Sequence, residues 1–107
     1  MNKIIVNDEK INLDINSSLN IKVKEKQDIF DVRKIEIEVL KDTSLMIEYN
    51  TSNKSKLDIL IKINKDINFK LYELKEENDV KIQYKYYLEE FSNILVNKFR
   101  SEEHTSE

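Results

Sequence analysis

Hydrophobic and polar residues alternate along most of the chain, the period-two pattern of strands with one buried face. The clearest runs are Ile11, Leu13 and Ile15; Leu19, Ile21 and Val23; Ile35, Ile37 and Val39; and Leu45, Ile47 and Tyr49. Further along come Leu57, Ile59, Ile61 and Ile63; Ile67, Phe69 and Leu71; and Val80, Ile82, Tyr84 and Tyr86. Each run predicts a strand, and the polar stretches at 16–18, 24–28, 41–44, 50–56, 64–66 and 73–79 predict turns or loops. Abundant isoleucine and absent alanine push the same way, because β-branched side chains suit a pleated, half-buried surface. One segment carries two patterns: Tyr84, Tyr87, Leu88, Phe91, Leu95 and Phe99 also fall at helical spacing. Strand is the reading adopted for 84–99, because a longer repeat continues through it.

That repeat has a period of 24 residues: 41–47, KDTSLMI, aligns with 65–71, KDINFKL, and then with 89–95, EEFSNIL. The strands ahead of these segments follow the same step. Ile35, Ile37 and Val39 correspond to Ile59, Ile61 and Ile63, and backwards to Ile11, Leu13 and Ile15. The strand ahead of the third unit is one residue out of step, and the second strand of the first unit needs an offset of 26. Each unit reads as a strand, a tight polar turn carrying an acid, a second strand and a longer polar loop. Periods in this range belong to solenoids, so the expected fold is all-β, a truncated parallel β-helix with coils of about 24 residues. A β-sandwich is the alternative. It asks for antiparallel hairpins, and the glycine-bearing turns that commonly make them are absent.

Composition narrows the functional classes. The chain has 107 residues, enough for one core, with 18 basic and 21 acidic residues and a formal charge of −3. That balance speaks against a nucleic-acid or anionic-membrane surface held by charge alone. With no cysteine there is no disulfide, thiolate metal site or cysteine nucleophile. With no glycine there is no P-loop or dinucleotide-binding fingerprint. Zero Gly, Pro and Ala beside 15 Ile, 16 Lys and 12 Asn is the codon signature of an AT-rich genome. No apolar run approaches a signal-peptide core or the ~18 residues of a membrane helix, so a cytoplasmic protein is expected.

The last eight residues, RSEEHTSE at 100–107, differ in kind and hold the only histidine, His104. Back-translated as AGA TCG GAA GAG CAC ACG TCT GAA, they match the start of a common sequencing adapter in frame. We read 1–99 as the natural segment, the N-terminal part of a longer protein, and 100–107 as an adapter-like tail outside the fold. His104 therefore carries no function. Residues 1–99 hold 17 basic and 18 acidic residues, so most of the net acidity belongs to the tail.

Candidate chemistry is sparse. The turn acids Asp42, Asp66 and Glu90 stack as a ladder at the 24-residue step, which is a calcium-site geometry in some solenoids. Those solenoids use glycine-rich turns, so ordinary turn chemistry is the favoured account. Asn16, Asn20, Asn50, Asn64, Asn68 and Asn78 are assigned the same role, because Asn best replaces glycine where φ is positive. Arg33, the only arginine before the tail, is assigned an ion pair with Asp31 or Glu36. Tyr84, Tyr86 and Tyr87 offer a stacking surface for sugars or bases, with core packing plus one exposed edge as the simpler account. The alternating Lys and Glu of 22–26 and 34–38 form a solvated strand face that discourages edge pairing. No nucleophile and base are paired, so no enzymatic activity is expected and no catalytic, cofactor or metal residue is named.

Three stretches, KIEIEVLKDTSLMIEYN, KLDILIKINKDINFKLYEL and KIQYKYYLEEFSNILVNKF, resemble the SufB/SufD family, β-helical scaffolds of SUF iron–sulfur cluster assembly. The similarity runs over about residues 21–99 and is one of repeat pattern, closer to SufD. The glycine common in family turns is missing, and so is the helical N-terminal region of longer members. The resemblance implies a non-catalytic scaffold that pairs with a SufB/SufD paralogue and a SufC-like ATPase, with no nucleic-acid or membrane partner. It implies an iron–sulfur cluster for the full assembly and none in this part, since the family's ligand residues lie beyond it.

Overall fold

A computed structural model describes residues 2–7, 10–14, 21–27, 32–50, 56–75 and 81–100. Among these the chain is all-β, with no helix long and apolar enough to cross a membrane. The strands are β1 (Asn2–Asn7), β2 (Ile11–Asp14), β3 (Ile21–Gln27), β4 (Val32–Val39), β5 (Thr43–Asn50), β6 (Lys56–Ile63), β7 (Asn68–Lys75), β8 (Lys81–Leu88) and β9 (Asn93–Arg100). They form two mixed sheets, in the orders β2-β1-β5-β7-β9 and β3-β4-β6-β8. From β4 onward successive strands alternate between the sheets, and from β6 onward each pairs in parallel with the strand two before it.

The core lies between the two sheets because alternation points one side-chain row of every strand inward. Ile35, Ile37 and Val39 stand opposite Ile59, Ile61 and Ile63 in register, and all six are buried. On the other sheet Leu45 faces Leu71, and Ile47, Tyr49 and Phe69 are buried with them. Burying each such side chain contributes roughly 1.5–3 kcal/mol, so these central rows dominate the folding energy. Residues 84–99 belong to β8, the turn after it and β9, so the strand assignment holds there and the helical stripe does not.

The step between units is not uniform. It is 24 residues from β4 to β6 (Ile35 to Ile59), 25 from β6 to β8 (Ile59 to Tyr84) and from β7 to β9 (Asn68 to Asn93), and 26 from β5 to β7 (Leu45 to Leu71). The cause is corner length. Between the paired positions Val39↔Ile63 and Thr43↔Phe69, the first corner holds three residues (40–42) and the second holds five (64–68). Equating Lys41 with Lys65 by sequence therefore misplaces the first-sheet strand by two residues.

Antiparallel hairpins, expected to be missing, are present at one end of the molecule. β1 pairs antiparallel with β2, and β3 with β4. The first turn closes without glycine: the Asn7 amide donates to the Lys10 carbonyl (3.2 Å), and the Lys10 amide donates to Asn7 Oδ1 (2.8 Å). Such side-chain-to-backbone bonding stands in for glycine's conformational freedom. The run Ile11, Leu13 and Ile15 was expected to precede Ile35–Val39 in the stack. Instead β2 lies at the edge of the first sheet, and β3 is the neighbour of β4. β3 also continues through Gln27, across the turn expected at 24–28. β1, whose Ile4 and Val6 are fully buried, was assigned to no strand from sequence because it is a short apolar run without clear alternation.

Candidate functional site

Charged side chains on the inward phase of the strands mark the polar sites of the interior. Arg33 shares its phase with Ile35, Ile37 and Val39 and is 7% exposed. Its guanidinium donates to Glu25 through Nε (2.8 Å) and a terminal nitrogen, and its other nitrogen donates to the Asn7 carbonyl (2.6 Å). One buried arginine thus clasps β3, β4 and the end of β1, joining both sheets. Its partner is Glu25, not Glu36, which pairs instead with Lys62 at 2.9 Å. Asp31, the other expected partner, lies outside the described residues. The Lys62 ammonium holds the Glu36 carboxyl below its ordinary range, and Glu36 raises Lys62 in return.

The second interior cluster joins β5, β7 and β8. Glu73, 7% exposed, stands between Ile47 and Lys98 in register. Tyr84 donates to Glu73 Oε1 at 2.6 Å, and the Tyr49 and Tyr84 hydroxyls lie 2.9 Å apart. Tyr86 stacks parallel to Tyr84 with ring centroids 5.8 Å apart, and Lys98 Nζ lies 5.3 Å from the Tyr84 ring centre. Burial pushes the phenols of Tyr49 and Tyr84 far above their ordinary range, with the neighbouring hydroxyl and the Glu73 carboxylate adding to the rise at Tyr84. Burial and Glu73 also raise Tyr86. The cluster holds protons tightly and satisfies a carboxylate that would otherwise be buried alone. Sequence reasoning missed Glu73 and Glu25. Both were legible as charges falling on the apolar phase, Phe69-Leu71-Glu73 and Ile21-Val23-Glu25.

The tyrosine triplet does not make a stacking surface. Tyr84 and Tyr86 face the interior, while Tyr87 is 57% exposed on the opposite face of β8. This is the core-plus-edge arrangement.

The expected acid ladder is also rearranged. Asp42 stacks on Asn68 and Asn93, because the first-sheet register steps by 26 and then 25. The Asn68 amide donates to Asp42 Oδ1 (2.9 Å), and Asn93 Nδ2 donates to Asn68 Oδ1 (3.1 Å). Glu90 lies 4.0 Å from Lys65 Nζ, and the Glu90 carbonyl accepts from the Asp66 amide (3.1 Å). These contacts are turn chemistry, and among the described residues no group of three or more His, Cys, Asp or Glu is placed to hold a metal ion. Among the described residues those with positive φ are Asp66 (61°) and Phe91 (59°), so Asn50, Asn64 and Asn68 do not play the part assigned to them. Asn16, Asn20, Asn78 and His104 lie outside the described residues.

The outer faces complete the inventory. On the second sheet the outward rows run Lys22-Glu38-Lys62-Tyr87, Lys24-Glu36-Leu60-Lys85 and Lys26-Lys34-Asp58-Gln83, with Lys56 beside Lys81. The outward rows of the first sheet carry Met46, Tyr72, Leu74, Leu95 and Phe99, with Tyr72 stacked on Phe99 at 6.4 Å. In comparison with known proteins, no family model, curated protein or solved structure gives a significant match.

Proposed function

We propose that the chain is part of a non-catalytic scaffold of the SufB/SufD type, acting in the cytoplasm in iron–sulfur cluster assembly with a SufB/SufD paralogue and a SufC-like ATPase. In this reading β4–β5, β6–β7 and β8–β9 are successive coils of a parallel β-helix, each giving one strand to each sheet. The observation that carries it is hydrogen bonding between corners as well as between strands. Asn64 donates to the Val39 carbonyl (3.2 Å), Glu89 to Ile63 (3.0 Å), Asp66 to Glu90 (3.1 Å) and Asn93 to Ile67 (2.9 Å). The unit therefore stacks on itself through strand, corner and strand. A stack in which each coil touches only its neighbours holds surfaces at set separations, which suits a scaffold. The cluster itself is assigned to the full assembly, and no ligand to it is named in this chain.

The antiparallel pairs β1–β2 and β3–β4 favour a second reading, a β-sandwich binding module for carbohydrate or for a cell or phage surface. Recovery of the intact gene separates the two. The scaffold reading expects coding sequence that continues units of 24 to 26 residues past Phe99, and a product that co-purifies with the SufC-like ATPase of the same genome. A stop codon near Phe99, or a full-length product that ignores the ATPase, overturns it.

A further inference from the structure

The strand registers sort lysines in a way that composition conceals. The outward rows of the second sheet carry eight exposed lysines against three carboxylates, Glu36, Glu38 and Asp58, on a chain whose formal charge is −3. The outward rows of the first sheet hold two lysines and two carboxylates. Two of the second-sheet lysine pairs sit directly opposite each other in register: Lys26 with Lys34, and Lys56 with Lys81. Like charges opposed across strands cost stability, and the carboxylates beside them in register are fewer: Asp58 stands next to Lys34, and none stands beside Lys56 and Lys81 in their row. A depression of about 340 Å³ opens on the same face, lined by Lys24, Lys26, Lys34 and Lys85 around Leu60 and Asp58.

We propose that the outer face of the second sheet is a docking surface for an acidic, carboxylate-bearing segment of a partner protein. Charge complementarity argues for an anion. The makeup of the face argues for carboxylate over phosphate. It carries lysines and no arginine, the residue whose planar fork suits phosphate best. It interleaves Glu36 and Asp58 among the lysines, which a uniform phosphate backbone would meet unfavourably. Its aromatic residue is Tyr87 at the rim, with no platform for stacking bases. Leu60 at the floor offers an apolar contact to a segment that mixes acidic and aliphatic residues. This surface is independent of the cluster-assembly reading.

The test uses the full 107-residue chain and a fluorescein-labelled peptide of Glu-Glu-Leu repeats, followed by fluorescence anisotropy. Saturable binding that weakens as salt rises is expected. The double substitution Lys26→Gln with Lys81→Gln should weaken it about tenfold, since two charge contacts are lost. Lys3→Gln with Lys70→Gln, on the first sheet, should leave it unchanged. Circular dichroism of both variants guards against unfolding, because none of the four lysines is buried. Equal loss from both double substitutions, equal binding of a Gln-Gln-Leu peptide, or tighter binding of a labelled single-stranded oligonucleotide would overturn the proposal. The last result would assign the face to nucleic acid.

Discussion

The two ends of the molecule treat the same problem differently. At one end β2 and β3 run antiparallel to their neighbours and close the sheets with charged edges: Asp14 on β2, and Lys22, Lys24, Glu25 and Lys26 on β3. At the other end β8 and β9 are ordinary members of the repeat, and nothing among the described residues covers them. Of the large hydrophobic residues that are exposed among the described residues, Tyr87, Leu88, Phe91, Leu95 and Phe99 cluster there, against Leu13 at the charged end. Stacked folds need polar caps and blunted edge strands to stay monomeric, and among the described residues only one end has them. Identical inward positions consequently have unequal burial. Ile63 is fully buried between neighbours on both sides, whereas Leu88, next to it in register, is 49% exposed.

Several measurements would sharpen or break this contrast. The open end should make the chain self-associate as its concentration rises, and Leu95→Lys with Phe99→Lys should return it to a monomer in sedimentation velocity. In that background Ile61→Ala, at the centre of the stack, should lower unfolding free energy in urea by about 3 kcal/mol. Ile94→Ala, on the edge strand, should cost about half as much. Equal losses would mean that the open end is as well packed as the middle. At the charged end, Arg33→Ala should cost about 2 kcal/mol. The figure sits below that of a fully buried pair because the Glu25 side chain is 34% exposed and rehydrates.

Towards the open end, Tyr84→Phe should cost about 1.5 kcal/mol at neutral pH, by depriving Glu73 and Tyr49 of their shared partner. Its signature lies in alkali. Tyr49 and Tyr84 keep their protons in the folded state well above the pH at which the unfolded chain releases them, near 10. The folded state then binds more protons than the unfolded one, so stability is complete below about pH 10 and falls as pH rises beyond it. Tyr84→Phe should make that fall shallower, and a slope unchanged in urea titrations between about pH 9.5 and 11 would exclude the phenol as its source. The smallest effect is a gain. Phe91 is 73% exposed with φ of 59°, so Phe91→Asn sheds backbone strain without losing packing. It should add about 1 kcal/mol.

Much of the fold was legible in the residue pattern. Alternation located the inward rows of β4 to β8 because a strand has a fixed period, and the Ile35-to-Ile59 match located one pairing because those corners keep their length on that sheet. The first-sheet registers were not legible: the corner at 64–68 is longer than its predecessor, and a sequence repeat cannot say which side of an insertion stays aligned. The turns were misread for a related reason. Among the described residues of this glycine-free chain, left-handed backbone falls at the corners, at Asp66 and Phe91, and not at Asn50, Asn64 or Asn68. The interior clusters were half visible, since Arg33 and Glu73 break the apolar phase, yet their partners Glu25 and Tyr84 are set by cross-strand and cross-sheet placement.

The sequence by itself therefore determined that this is an all-β chain with one apolar row per strand, because a period of two admits no other regular element. It also excluded cysteine chemistry and glycine-built phosphate loops by simple absence. Only the tertiary structure decided which end is closed, which acid answers Arg33 and which face gathers the lysines. Those depend on strand order and register, and a one-residue change in either turns every side chain of a strand to the other face.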